Sequence, residues 1–141
     1  MAQATVTLKV YPFPYGKDVS DRRVSYSGQA IVQAAAATYA IGGLGTATSG
    51  ALNWQSLTDQ LTGEAVIVET ATQTQPIMVY FTSVGGSGFV YGWNKSTNKF
   101  QIFTTGTATQ SGLAELTGGS AIPAGVSGDV IEFDADFAKA L

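Results

Sequence analysis

Gly128-Asp129-Val130-Ile131-Glu132-Phe133-Asp134-Ala135-Asp136-Phe137 is the stretch on which the fold turns. From Ile131 the residues alternate. Ile131, Phe133, Ala135 and Phe137 fall on one side, and Glu132, Asp134 and Asp136 on the other. Side chains of a strand point to opposite faces in turn, so the pattern predicts a half-buried strand with an acidic, solvated face.

Similar patterns recur toward the other end of the chain. Thr5 to Tyr11 predicts a strand with Val6, Leu8 and Val10 on one face. Tyr11-Pro12-Phe13-Pro14-Tyr15-Gly16 follows, and two prolines cannot donate to a ladder, so this is an extended arm or an edge. Its rings either fold back on the core or dock on a neighbour. Lys17 to Arg23 is a polar turn, and Val24 to Gly28 alternates as a strand. Gln29 to Ala40 is Ala-rich but carries Ile31-Val32 and Thr38-Tyr39, which favour strand, with a short helix as the alternative.

The middle of the chain is read the same way. Ile41 to Gly50 has the composition of a mobile loop. Asn53 to Gln60 predicts a short helical turn capped by Asn53. Glu64 to Glu69 is a β-rich run, and the unbroken apolar run Pro76 to Phe81 predicts a strand buried on both faces. Phe89 to Trp93 and Lys99 to Thr104 flank Asn94-Lys95-Ser96-Thr97-Asn98, a β-hairpin with a loop of about five residues. Thr105 to Gly112 is a polar connector and Ala114 to Leu116 a brief strand. Gly118-Gly119 and Pro123-Ala124-Gly125 are turns. Short strands at this spacing describe an all-β sandwich or barrel.

Composition narrows the function classes. At 141 residues one domain is expected. The charged share of 12% is about half the usual share of about 25%. A net charge of -3 with no basic run longer than Arg22-Arg23 argues against direct nucleic-acid binding. The chain has no Cys and no His, which removes thiolate chemistry, disulfides and the commonest acid/base and metal-binding group. Met1 to Val10 alternates like a strand rather than a secretory leader, so the expected site of synthesis is a cytoplasm. No run approaches the ~20 apolar residues of a membrane helix.

Sites for cofactors fail on inspection. Gly45 and Gly50 have P-loop spacing, but Ala51 stands where a phosphate-binding Lys is needed. Gly43-Leu44-Gly45 is followed by Thr48 where a dinucleotide fold needs its third glycine. The acidic row of the closing strand fans out rather than wrapping a cation. No carboxylate pair is singled out for glycoside hydrolysis. Asn94-Lys95-Ser96 matches a glycosylation acceptor but is read as a hairpin loop. The expectation is no enzyme, no cofactor and no metal. Trp54, Tyr91 and Trp93 are core candidates, or the stacking platform of a carbohydrate-binding or adhesion module in a tail or surface fibre.

Several fragments share an order seen elsewhere. They are Thr38-Tyr39-Ala40-Ile41-Gly42-Gly43-Leu44, Gly88-Phe89-Val90-Tyr91-Gly92-Trp93-Asn94, Lys99-Phe100-Gln101-Ile102-Phe103, Ala114-Glu115-Leu116, Ala121-Ile122-Pro123-Ala124 and Gly128-Asp129-Val130-Ile131-Glu132-Phe133. Over roughly Val24 to Phe137 the chain resembles the small virion structural proteins of tailed bacteriophages, the head decoration or cement proteins encoded beside the major capsid protein. The resemblance implies a jelly-roll-like β-sandwich. It implies a homotrimer on the outer capsid surface, made in the host bacterial cytoplasm, that clamps neighbouring capsomers. The major capsid protein would be its partner, with no membrane and no direct nucleic-acid contact. On this reading residues 1–23 form an N-terminal strand and Pro/aromatic arm, and 24–141 the β-sandwich domain of a single folded unit. Tyr11, Phe13 and Tyr15 are the expected docking anchors, because rigid aromatics are favoured hot spots. Arg22 and Arg23 are expected to pair with carboxylates on the shell.

Overall fold

The closing strand lies inside a sheet rather than at its rim. The computed structural model describes residues 2–12, 16–20, 23–33, 37–48, 50–55, 57–66, 75–105 and 112–138. In chain order the elements are β1 (Ala2–Gln3), β2 (Val6–Val10), β3 (Lys17–Ser20), β4 (Arg23–Val32), β5 (Ala37–Thr38) and β6 (Thr58–Asp59). They continue with β7 (Met78–Ser83), β8 (Val90–Asn94), β9 (Lys99–Thr105), β10 (Leu113–Glu115), α1 (Ala124–Ser127) and β11 (Ile131–Ala138).

A six-stranded sheet has the order β6-β2-β4-β11-β7, with β3 also paired to β4. It is mixed, because β2 and β6 run parallel while the other pairs are antiparallel. The second sheet, β10-β9-β8, is antiparallel, and β1 and β5 form a short parallel pair. The protein is thus mostly β, with one short helix among the described residues. Strand β4 pairs with β11 along one edge and divides the other between two neighbours. Its residues 28–32 pair with β2, and 23–25 pair with β3.

Alternation places the core. Val6, Leu8 and Val10 of β2, Val24, Tyr26, Ala30 and Val32 of β4, and Ile131, Phe133, Ala135 and Phe137 of β11 are all buried. They join Tyr91, Phe100 and Ile102 of the smaller sheet in one hydrophobic cluster. Phe81 of β7 meets Phe100 of β9 edge to face at 4.8 Å and ties the two sheets together. Trp54 lies 5.8 Å from both Phe133 and Phe137. Such ring pairs add about 0.5–1.5 kcal/mol each beyond their burial. Gly28 is required where β2 and β4 meet, because a Cβ there would stand 2.0 Å from the Lys9 carbonyl oxygen.

Five expectations need correction, the first being the polar turn over Lys17 to Arg23, where Lys17–Ser20 is strand β3 paired to β4 and Arg23 opens β4. Met78 to Ser83 is an edge strand and not a doubly buried one. Val79 and Phe81 point inward, but Met78 and Tyr80 are exposed. No helix forms over the described part of Asn53 to Gln60. Asn53 does use its side chain locally, accepting from the Gln55 N–H at 2.9 Å, while Thr58–Asp59 pairs with β2 instead. The helix comes later, at Ala124–Ser127, where Pro123 sets an extended entry and Val126 anchors the turn in the core. The Gly-rich stretch expected to be mobile is pinned in its middle. Leu44 is fully buried and exchanges both backbone bonds with Phe100, at 2.7 and 2.9 Å.

The remaining β-rich run, Glu64 to Glu69, is described only to Val66, where Ala65 makes a bridge to Thr58. The Ala-rich segment extends β4 to Val32 and resumes as β5. Most of the polar connector after β9 lies outside the described residues. No described helix is long and apolar enough to cross a membrane.

Candidate interaction surface

The outer face of the six-stranded sheet gathers the chemistry that the core leaves over. Strand β11 supplies Glu132, Asp134 and Asp136, and its registers with β4 and β7 fix their neighbours. Asp134 stands opposite Ser27 on one side and Tyr80 on the other. Its Oδ1 accepts from the Ser27 hydroxyl at 2.7 Å and the Ser25 hydroxyl at 3.0 Å. Glu132 accepts from the Tyr11 hydroxyl at 2.6 Å. Asp136 pairs with the Arg23 guanidinium at 2.7 Å. That ion pair is partly exposed, so it contributes at most about 1 kcal/mol.

Tyr11 is held as the neutral phenol. Partial burial, then the hydrogen bond to Glu132 and its negative charge, push its pKa up to about 12. Two open grooves meet at Asp134. One, of about 540 Å³, is lined by Lys17, Asp18, Val19, Ser25, Ser27, Asp134 and Asp136. The other, of about 370 Å³, runs between Tyr80, Thr82, Glu132, Phe133 and Asp134. Among the described residues, no group of three or more acidic side chains is placed to hold a metal ion.

Of the five residues singled out in the sequence, Tyr11 and Arg23 both come to the acidic row of β11. Each is bonded within its own chain, to Glu132 and Asp136. Phe13, Tyr15 and Arg22 lie outside the described residues. The aromatic platform is not on the surface. Trp54 is 1% exposed and Tyr91 is 6% exposed, while Trp93 is half-buried. Both indole N–H groups donate to the same acceptor, Asn98 Oδ1, at 2.9 and 3.0 Å.

Two further polar clusters brace loops. Asp129 Oδ2 accepts from the Ser83 and Tyr91 hydroxyls, both at 2.7 Å, and so ties the end of β7 to the chain before β11. Burial works to raise the Asp129 carboxyl, but hydroxyl bonds from Tyr91, Ser83 and Ser87 outweigh it and hold the group below its ordinary range. Glu115 accepts from the Tyr39 hydroxyl at 2.5 Å and from the Gly42 N–H at 2.8 Å. Burial, then this bond, raises the Tyr39 phenol. The glycines with P-loop spacing make a tight turn rather than a cradle, since a Cβ on Gly45 would meet the Gly50 carbonyl oxygen at 2.0 Å.

Sequence reasoning passed over Tyr80, Met78 and Val84, the exposed apolar residues on the β7 side of this surface. The signal was present in Tyr80 and Thr82, polar-tipped residues spaced two apart, but the apolar run around them hid it. No family model matches the chain, and comparison with curated proteins and with solved structures finds no significant match to either.

Proposed function

We propose that the chain is a non-enzymatic capsid decoration protein of a tailed bacteriophage. In this reading it sits on the outer head surface as a trimer, partners the major capsid protein and holds adjacent capsomers together. The jelly-roll connectivity of its two sheets belongs to the same proposal. So does its life history: made in the bacterial cytoplasm, then carried on the virion.

The observation that carries the reading is a sheet face left to solvent. One side of the six-stranded sheet closes the core, and the other exposes an acidic row beside Tyr80, which is 61% exposed. A sheet with one solvated face is common, but here Met78, Tyr80 and Val84 put exposed apolar side chains together beside the acidic row, the kind of mixed patch that docks on a partner. The ordered sequence fragments that resemble head decoration proteins are the reason for taking the shell as that partner. A trimer with three weak contacts gains avidity through effective concentration, so no single contact has to be strong.

Sedimentation with purified phage heads tests the proposal. The wild-type protein should pellet with heads and saturate, and light scattering should give about three chains per particle, as a symmetric clamp requires. Replacing Tyr11, Phe13 and Tyr15 by alanine should leave a folded protein that no longer decorates heads. A wild-type protein that stays in the supernatant, or that turns over a substrate, refutes the reading.

A further inference from the structure

We infer that the outer face of β7 and β11 is the capsid-facing surface, and that it fits a protein surface presenting lysine or arginine beside apolar side chains. This rests on the head-decoration reading and names the chemistry of its contact. The register makes four cross-strand couples on this face. Met78 lies opposite Asp136, Tyr80 opposite Asp134, and Thr82 opposite Glu132. The Val84 N–H donates to the Val130 carbonyl at 2.7 Å and adds the fourth. Directly opposed side chains in an antiparallel pair sit about 5 Å apart. An exposed row of Met78, Tyr80, Thr82 and Val84 therefore runs alongside a row of Val130, Glu132, Asp134 and Asp136. The groove between Tyr80, Thr82 and Glu132 follows the seam.

Charge selects the occupant. Asp136 has a cation of its own in Arg23. Glu132 and Asp134 are bonded to neutral hydroxyls, from Tyr11, Ser25 and Ser27, and no cation lies within salt-bridge distance of either among the described residues. A hydrogen bond from a neutral donor orients a carboxylate without cancelling its charge, so two oriented negative charges face outward beside a large amphipathic ring. A second copy laid face to face over β7 and β11 would set these carboxylates against their own kind, because Lys17 of β3 lies beyond β4, outside this strip. Nucleic acid and anionic lipid are repelled for the same reason. A basic protein surface gains at both rows, with ion pairs over β11 and burial of Tyr80 and Met78 over β7.

Size fixes the expected strength. Seven residues at about 3.4 Å and two strands at about 4.8 Å span roughly 24 by 10 Å. That plan area, on the order of 240 Å², is about a third of the ~800 Å² that each partner brings to a standard interface. One face alone is a weak contact, and a multivalent particle is the setting in which it becomes a firm one.

The test uses purified heads and the full chain at about 50 and 200 mM salt, concentrations that change the screening of surface charge. Glu132→Gln with Asp134→Asn keeps an acceptor for Tyr11, Ser25 and Ser27 while removing both charges. This pair should bind heads at least tenfold more weakly than wild type and lose most of the salt dependence. Tyr80→Ala should also weaken binding about tenfold. Ile41→Ser, at an exposed site in the loop after β5, should bind like wild type. If wild type binds and the charge and tyrosine variants bind equally well, this surface is not the contact and the head-decoration reading stands. If Ile41→Ser weakens binding as much as they do, the loss is not specific to this face, and the inference is likewise overturned. If wild type itself ignores heads, the functional reading falls and takes this inference with it.

Discussion

Asn98 joins three separate parts of the chain, and replacing it is the sharpest test of how the core is held. It is the one non-glycine residue with a left-handed backbone among those described, with φ at 53°. Asparagine tolerates that conformation, whereas most residues lose about 1–2 kcal/mol there. Its Oδ1 receives both indole N–H groups, and its Nδ2 donates to the Leu52 carbonyl at 2.9 Å. In Asn98→Ala the buried Trp54 N–H loses its acceptor, at a cost of about 1–3 kcal/mol. Trp93 is half-buried and reaches water, so its loss is smaller. With the backbone cost added, the expected destabilisation is about 2–5 kcal/mol, a large part of a typical 5–15 kcal/mol total. Asn98→Gly removes the same hydrogen bonds but not the backbone freedom, so it should be about 1 kcal/mol milder than Asn98→Ala. Urea unfolding followed by circular dichroism reads both differences without relying on the indoles that the substitution disturbs. An Asn98→Ala protein within about 1 kcal/mol of wild type would refute the reasoning, as would Asn98→Gly being the worse of the two.

Two further outcomes follow from packing and charge. Gly28→Ala places a Cβ 2.0 Å from the Lys9 carbonyl oxygen and 2.9 Å from the Phe133 ring, so β2 must move off β4. Because the neighbour is backbone, the loss should exceed the usual 1–3 kcal/mol of overpacking, and a melting temperature within a few degrees of wild type would show the strands can yield. Asp129 carries a carboxyl whose folded pKa lies below its ordinary 3.8, so its contribution is complete well above 3.8 and fades as pH falls through the folded value. Asp129→Asn should therefore be less stable than wild type at pH 7, with a smaller gap at an assay pH below 3.8. Denaturation midpoints that differ by the same amount at both pH values would contradict this.

The parts of the fold that the sequence made legible are those set by local alternation. Phe133 and Phe137 had to share a face because a strand repeats every two residues, and both are buried. The hairpin forms where expected, but its loop is four residues, 95–98, rather than five, because Asn94 stays in β8 opposite Lys99. The exposure of Tyr80 was hidden because an apolar run looks the same in a central strand and in an edge strand, and only the neighbours decide. The helix at Ala124–Ser127 is a single turn, too short to show a period. The interaction surface was harder still. Tyr11 meets Glu132 across 121 positions, and Arg23 meets Asp136 across 113. No local pattern encodes such pairs, because they arise only once β4 and β11 are in register.

A difference map between phage heads with and without this protein would weigh the whole account in one measurement. Added density on the outer surface between adjacent capsomers, with the acidic and tyrosine-bearing face of the larger sheet turned to the shell, is the predicted result. Heads that gain no density, or that hold the protein by the three-stranded sheet, would contradict it.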